Sequence, residues 1–122
     1  MTPKKILEKL VTALEDMKAI NINTIDVRKQ TSITDMMLIA SGRSNRQVRA
    51  IADKILETAK QIGLPVLGLE GQQDAEWILV DLGDFVVHIM QPAVREYYQL
   101  EKLWVPVPRK PRASRKKADA DA

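Results

Sequence analysis

The chain has 122 residues, 45% hydrophobic and 29% charged, enough for one domain around a single core. It contains no cysteine, which excludes disulfides, thiol nucleophiles and thiolate metal sites, and no apolar run near the roughly 20 residues of a bilayer span. The formal charge of +3 belongs to the end of the chain: from Val105 onward six bases face two acids, so residues 1–104 carry 13 bases and 14 acids and lack the overall electrostatics of a nucleic-acid-binding domain.

Thr2 and Pro3 form a helix-start signal, with threonine as N-cap and proline at the first helical position. Ile6, Leu7, Leu10, Leu14 and Met17 follow at helical spacing as one buried stripe. Glu8, Glu15 and Asp16 break any resemblance to the apolar core of a signal peptide, so a cytoplasmic location is expected. Asn21 to Asn23 interrupts the pattern, and residues 24–28, with Ile25 and Val27 flanking Asp26, read as a short strand. After a polar turn, residues 35–41 are apolar throughout and predict a strand central in its sheet.

Ser44 caps the best helix of the chain, and Gln47 closes a capping box. Val48, Ile51, Ala52, Ile55, Leu56, Ala59 and Ile62 form its apolar face, and Gly63 and Pro65 end it. Residues 66–69 predict a strand leading to the polar loop 71–74. Residues 76–82 and 85–91 read as two strands of a hairpin turning at Gly83-Asp84. Pro92 opens a last helix running to Trp104, with Ala93, Tyr97, Leu100 and Trp104 on its inner face. The order is α-β-β-α-β-β-β-α, an α/β (α+β) domain over 1–104, followed by a basic tail over 105–122 with the composition of a disordered segment.

Charge also separates within the domain. Seven bases oppose three acids between Arg28 and Lys60, whereas seven acids oppose Arg95 alone between Glu70 and Glu101. An acidic C-terminal half suits a basic protein partner better than a phosphate backbone.

The turn Ser41-Gly42-Arg43-Ser44 joins a strand to a helix N-terminus, as nucleotidyltransferase folds begin. A metal-dependent nucleotidyltransferase is therefore the alternative reading. Such chemistry needs two or three close carboxylates for Mg²⁺, and Asp81 and Asp84, three apart across Gly83, do not share a strand face. A tight turn with a helix cap accounts for the same residues. His88 is the single histidine, so a multi-histidine metal site is excluded, and no serine has a nucleophile-elbow context. The expectation is a binding protein, not an enzyme, with no cofactor or metal.

Parity along the C-terminal hairpin carries more information. Ile78, Val80 and Leu82 share one face with Phe85, Val87 and Ile89, and these uniformly apolar positions should pack on helices. Trp77, Leu79 and Asp81, with Val86, His88 and Met90, share the other face. That mixture suits the centre of an interface, although further helices covering this face would make Trp77 core instead.

Taken together, these residues are similar to the bacterial ribosomal silencing factor (Iojap-like) family. The resemblance rests on Asp26-Val27, on 32–35 (SITD), on Ser41-Gly42 with Ser44 and Arg46, and on Ile51-Ala52-Asp53. It continues through 68–71 (GLEG), 77–84 (WILVDLGD), 87–90 (VHIM) and 98–104 (YQLEKLW). It covers nearly all of residues 3–104; the tail after Trp104 is longer than many members carry, so the resemblance implies no role for it.

The resemblance implies a nucleotidyltransferase-like fold, a mixed sheet flanked by helices, without the catalytic carboxylates. It implies docking on the large ribosomal subunit, chiefly on its protein number fourteen at the face that meets the small subunit. Occupying that face blocks joining and represses translation when nutrients are scarce; a part in large-subunit assembly is also implied. Carried onto this chain, the partner-binding residues are Trp77, Asp81, His88, Met90 and Tyr98, with Glu70 and Gln72 at the rim. Tyr98 is expected outward and Tyr97 inward. The basic tail could add an auxiliary contact to ribosomal RNA. Monomer and homodimer both remain open.

Overall fold

The computed structural model describes residues 2–100 and Lys102. The elements follow the expected order: α1 (Pro3–Asp16), β1 (Ile20–Asp26), β2 (Met36–Ser41), α2 (Asn45–Gln61), β3 (Gly68–Glu70), β4 (Trp77–Asp81), β5 (Phe85–Met90) and α3 (Pro92–Tyr98). The tail and Trp104, where the last helix is expected to end, lie outside the described residues.

Local chemistry sets the helix ends. Thr2 Oγ1 accepts from the Lys5 amide at 3.2 Å, and Pro3 occupies the first turn of α1, where its missing N–H costs nothing. Ser44 Oγ accepts from the Gln47 amide at 3.1 Å. The reciprocal half of the expected capping box is displaced by one residue, because Gln47 Oε1 accepts from the Arg43 amide at 2.6 Å and not from that of Ser44. Gln47 Nε2 then donates to the Lys18 carbonyl at 3.2 Å, tying the start of α2 to the end of α1.

The strands form one mixed sheet in the order β1-β2-β5-β4-β3. β2 and β5 are parallel, and every other pair is antiparallel. α2 supplies the crossover that a parallel pair requires. Three differences from the sequence expectation have physical causes. The first strand begins at Ile20, four residues early, with a register irregularity between Ile20 and Asn23 and Asn21 in the left-handed region at φ 52°. Asparagine tolerates that conformation, so the polar break in the pattern is a bulge inside a strand. The centre of the sheet is β5, not β2, although β2 is paired on both sides and buried along almost its whole length.

The third difference is in α3, which stops at Tyr98, with Gln99 in the left-handed region at φ 47°. Its inward residues are Val94 and Arg95, while Ala93 and Tyr97 are exposed. The inward placement of Ala93 and Tyr97 is therefore corrected. Arg95 is buried because its Nη1 donates to Ser41 Oγ at 3.0 Å, and this pins α3 across the ends of β2 and β5.

α1 and α2 pack on one face of the sheet. Leu10, Leu14, Val48, Ile51 and Ile55 from the helices meet Leu38, Ala40, Ile78, Val80, Val87 and Ile89 from the strands, all buried. The hairpin parity Ile78-Val80-Leu82 and Phe85-Val87-Ile89 thus lies where the sequence places it, under helices. The other face carries a smaller cluster of Ile25, Val27, Met37, Ile39 and Met90, with Trp77, Val94 and Leu100 packed against it. Only the short α3 covers that side among the described residues, so most of the β4 half of the face is left half-open.

Candidate docking face

Register fixes which side chains share the half-open face. Met37, Val86 and Asp81 lie in one row across β2, β5 and β4, and Ile39, His88, Leu79 and Glu70 lie in the next, which reaches β3. Ser41, Met90 and Trp77 form the row beneath α3. Trp77, Leu79, Asp81 and Val86 are each half-buried by the protein alone. Side chains in that state have apolar area still to lose to a partner.

An aromatic column stands at the α3 end of this face. The Trp77 ring lies 5.8 Å from that of His88 and 5.2 Å from that of Tyr98. Tyr98 in turn meets Tyr97 edge-on at 4.9 Å. Exposure rises along the column, from 5% at His88 to 56% at Tyr98 and 80% at Tyr97. Trp77 Nε1 donates to His88 Nδ1 at 2.9 Å. His88 therefore keeps a lone pair on Nδ1 and carries its proton on Nε2. Burial pushes its pKa down to about 4, so the ring is neutral at physiological pH.

Asp81 serves the fold as well as the face. Its Oδ1 accepts from the Gly83 amide at 2.9 Å and so fixes the turn of the β4–β5 hairpin, where Gly83 takes φ 88°. The rim is the end of β3 and the loop after it, which expose Glu70, Gln72 and Asp74. A side chain on Gly71, at φ 90°, would collide with the Trp77 carbonyl, so glycine alone lets the loop lie against β4. α2 holds the loop from behind. Arg49 Nε donates to the Gln72 carbonyl at 3.0 Å and its Nη2 to the Gln73 carbonyl at 2.5 Å, while Asn45 Nδ2 donates to the Asp74 carbonyl at 2.8 Å.

Of the residues singled out from the sequence, Trp77, Asp81, His88, Met90 and Tyr98 come together on this side, with Glu70 and Gln72 at its edge. Two of them are enclosed in the free protein. Met90 is 0% exposed, with Trp77 and Val94 packed against its cluster, and His88 is 5% exposed and accepts from the Trp77 indole. Sequence reasoning passed over Leu79 and Val86, whose parity already placed them on this face, and Tyr97, whose outward direction was hidden by drawing the helix through to Trp104.

Both serine hydroxyls and the Gly42 amide of the turn at 41–44 have partners within the fold. Ser41 Oγ is held by Arg95, Ser44 Oγ by the Gln47 amide, and the Gly42 amide donates to the Met90 carbonyl at 3.2 Å. A Cβ on Gly42 would sit 3.0 Å from the Val48 side chain, so α2 packs tightly on the turn. Among the described residues no group of three or more His, Asp or Glu is placed to hold a metal ion.

A family model described as "Ribosomal silencing factor during starvation" matches residues 1–122. A protein named "Ribosomal silencing factor RsfS" from Chromobacterium violaceum is 45% identical over 104 residues, covering 85% of this chain and 85% of its own length. The crystal structure of a protein from the same organism superposes with a TM-score of 0.84 at 44% identity, covering 89% of this chain and 92% of that one. A mouse protein named "Mitochondrial assembly of ribosomal large subunit protein 1" is 35% identical over 101 residues, covering 80% of this chain and 44% of its own length.

Proposed function

The chain belongs to the ribosomal silencing factor family, and from that premise we propose that it docks stoichiometrically on the large ribosomal subunit through the β4–β5 face, Tyr98 and the 70–74 rim. Its contact there is the large-subunit protein numbered fourteen, at the surface that meets the small subunit. Occupying that surface blocks subunit joining sterically and represses translation when nutrients are limiting, in the cytoplasm. A contribution to large-subunit assembly fits the name of the mouse relative.

The carrying observation is the half-open sheet face. Trp77, Leu79 and Val86 are half-buried, with Tyr97 and Tyr98 exposed at the α3 end of the face and Asp81 two rows away at the hairpin end. Large aromatics with surface still to bury are enriched at interface centres. The acids at 70, 74, 76, 81, 84 and 96 give this half of the chain a sign that complements basic ribosomal proteins. The nucleotidyltransferase alternative draws no support from the 41–44 turn, whose two serine hydroxyls are engaged by Arg95 and by the Gln47 amide.

Co-sedimentation with purified subunits tests the proposal. The protein should travel with large subunits and not with small ones, and should slow the joining of the two. Equal association with both, or a thermal shift on adding Mg²⁺ and a nucleotide together with turnover, would overturn it.

A further inference from the structure

We propose that His88 is the positioning residue of the docking face, holding the Trp77 indole in its docking orientation before a partner arrives. This rests on the docking reading above. The geometry starts from the sheet register. Trp77 pairs with Met90 and Leu79 with His88, so Trp77 and His88 are diagonal neighbours on adjacent strands of one face. The indole N–H can only donate, and at the half-buried edge of an apolar face it needs an acceptor. His88 Nδ1 supplies one at 2.9 Å, from a ring enclosed beneath Trp77.

The other side of the indole rests on Tyr98, 5.2 Å away. Trp77 is thus held by a hydrogen bond from the sheet and a ring contact from α3, two anchors on different elements. An anchor already fixed in the free protein loses less freedom on docking, which is how preorganisation raises affinity. His88, at 5% exposure, has almost no surface to offer a partner directly. Its contribution passes through Trp77.

Two substitutions separate this role from simple packing. In His88→Phe the ring volume stays and the acceptor goes. In His88→Asn the ring goes, but Oδ1 stands where Nδ1 stood. Nitrogen-15 spectra of the free protein, with Trp104→Phe to assign the two indole signals, should show a scalar coupling between Trp77 Nε1 and His88 Nδ1 across the hydrogen bond. Binding to isolated large subunits should fall about tenfold in His88→Phe, the scale of one hydrogen bond, and stay near the parent in His88→Asn. Adding His88→Phe to Trp77→Phe should cost no further affinity, since the residue it positions has gone.

Absence of the coupling, or equal loss in both His88 variants with additive effects in the double variant, overturns the positioning role while leaving the docking face in place. Unchanged binding in Trp77→Phe, by contrast, would show that the face itself is misassigned, and the proposal would fall with it.

Discussion

His88 lies in the row Ile39-His88-Leu79, with Trp77 above it and the Glu70 position at the end of the row on β3. Its pKa, pushed from 6.5 to about 4 by burial, links stability to pH. Between those values the unfolded chain binds a proton that the folded protein refuses. Stability from this group is therefore complete above about pH 6.5 and falls as pH drops toward 4, by at most about 3 kcal/mol. Urea melts between pH 7 and 4 should show that decline, and His88→Asn should remove it. Trp77 and Tyr98 separate binding from folding in a different way. Truncating an interface anchor costs about 2 kcal/mol or more, roughly a thirtyfold loss of affinity. Tyr98→Ala should lose that binding with little change in melting, because its ring is mostly exposed. Trp77→Ala should lose binding and also about 1–2 kcal/mol of stability, since half the indole packs against the Ile39 and Met90 cluster. The sequence showed that both aromatics were candidates, but not that one of them is also a lid on a small core. That follows from where α3 lands, which depends on the Arg95–Ser41 bond across 54 positions of the chain.

The β4–β5 hairpin holds the fold with one face and offers the other. Ile78, 0% exposed among α1, α2 and the sheet, should cost roughly 2–5 kcal/mol when cut to alanine, through the cavity left behind. The protein that remains folded should bind large subunits as the parent does, which thermal melts paired with binding assays would show. Weakened binding by fully folded Ile78→Ala would mean that the helix-covered face takes part in docking. Period-two alternation made this division legible from sequence alone, because a strand in a two-layer sheet has no other way to bury one side. α3 was less legible. Helical spacing ran on through Leu100 to Trp104, and nothing in the pattern marks Gln99 as the residue that turns left-handed. Placing the end too late rotated the expected inner face and put Tyr97 inside. The start of β1 was missed for a related reason: Asn21 reads as a breaker, yet its φ of 52° serves a bulge within the strand.

At the scale of the molecule, helices cover one side of the sheet, and the charge of the chain is divided between its halves. The Arg28–Lys60 segment spends several of its bases internally, Arg28 on Asp26, Arg49 on loop carbonyls and Lys54 on Glu57. Among the described residues the acidic half keeps Glu70, Asp74, Glu76 and Asp84 at the surface near the docking face. The basic tail makes a separate contribution if its six bases meet phosphate. Deleting residues 106–122 should weaken binding modestly and flatten its salt dependence, with the domain still folded. Complete loss of binding on truncation would place the dominant contact in the tail. The most direct test of the docking face is hydroxyl-radical footprinting of the free protein against its complexes with isolated large and small subunits. Large subunits should protect Trp77, Tyr97 and Tyr98 and leave Leu7 and Leu56, on the helical side, as reactive as before, while small subunits should change nothing. Protection of Leu7 and Leu56 with the tyrosines still reactive would contradict docking through the sheet.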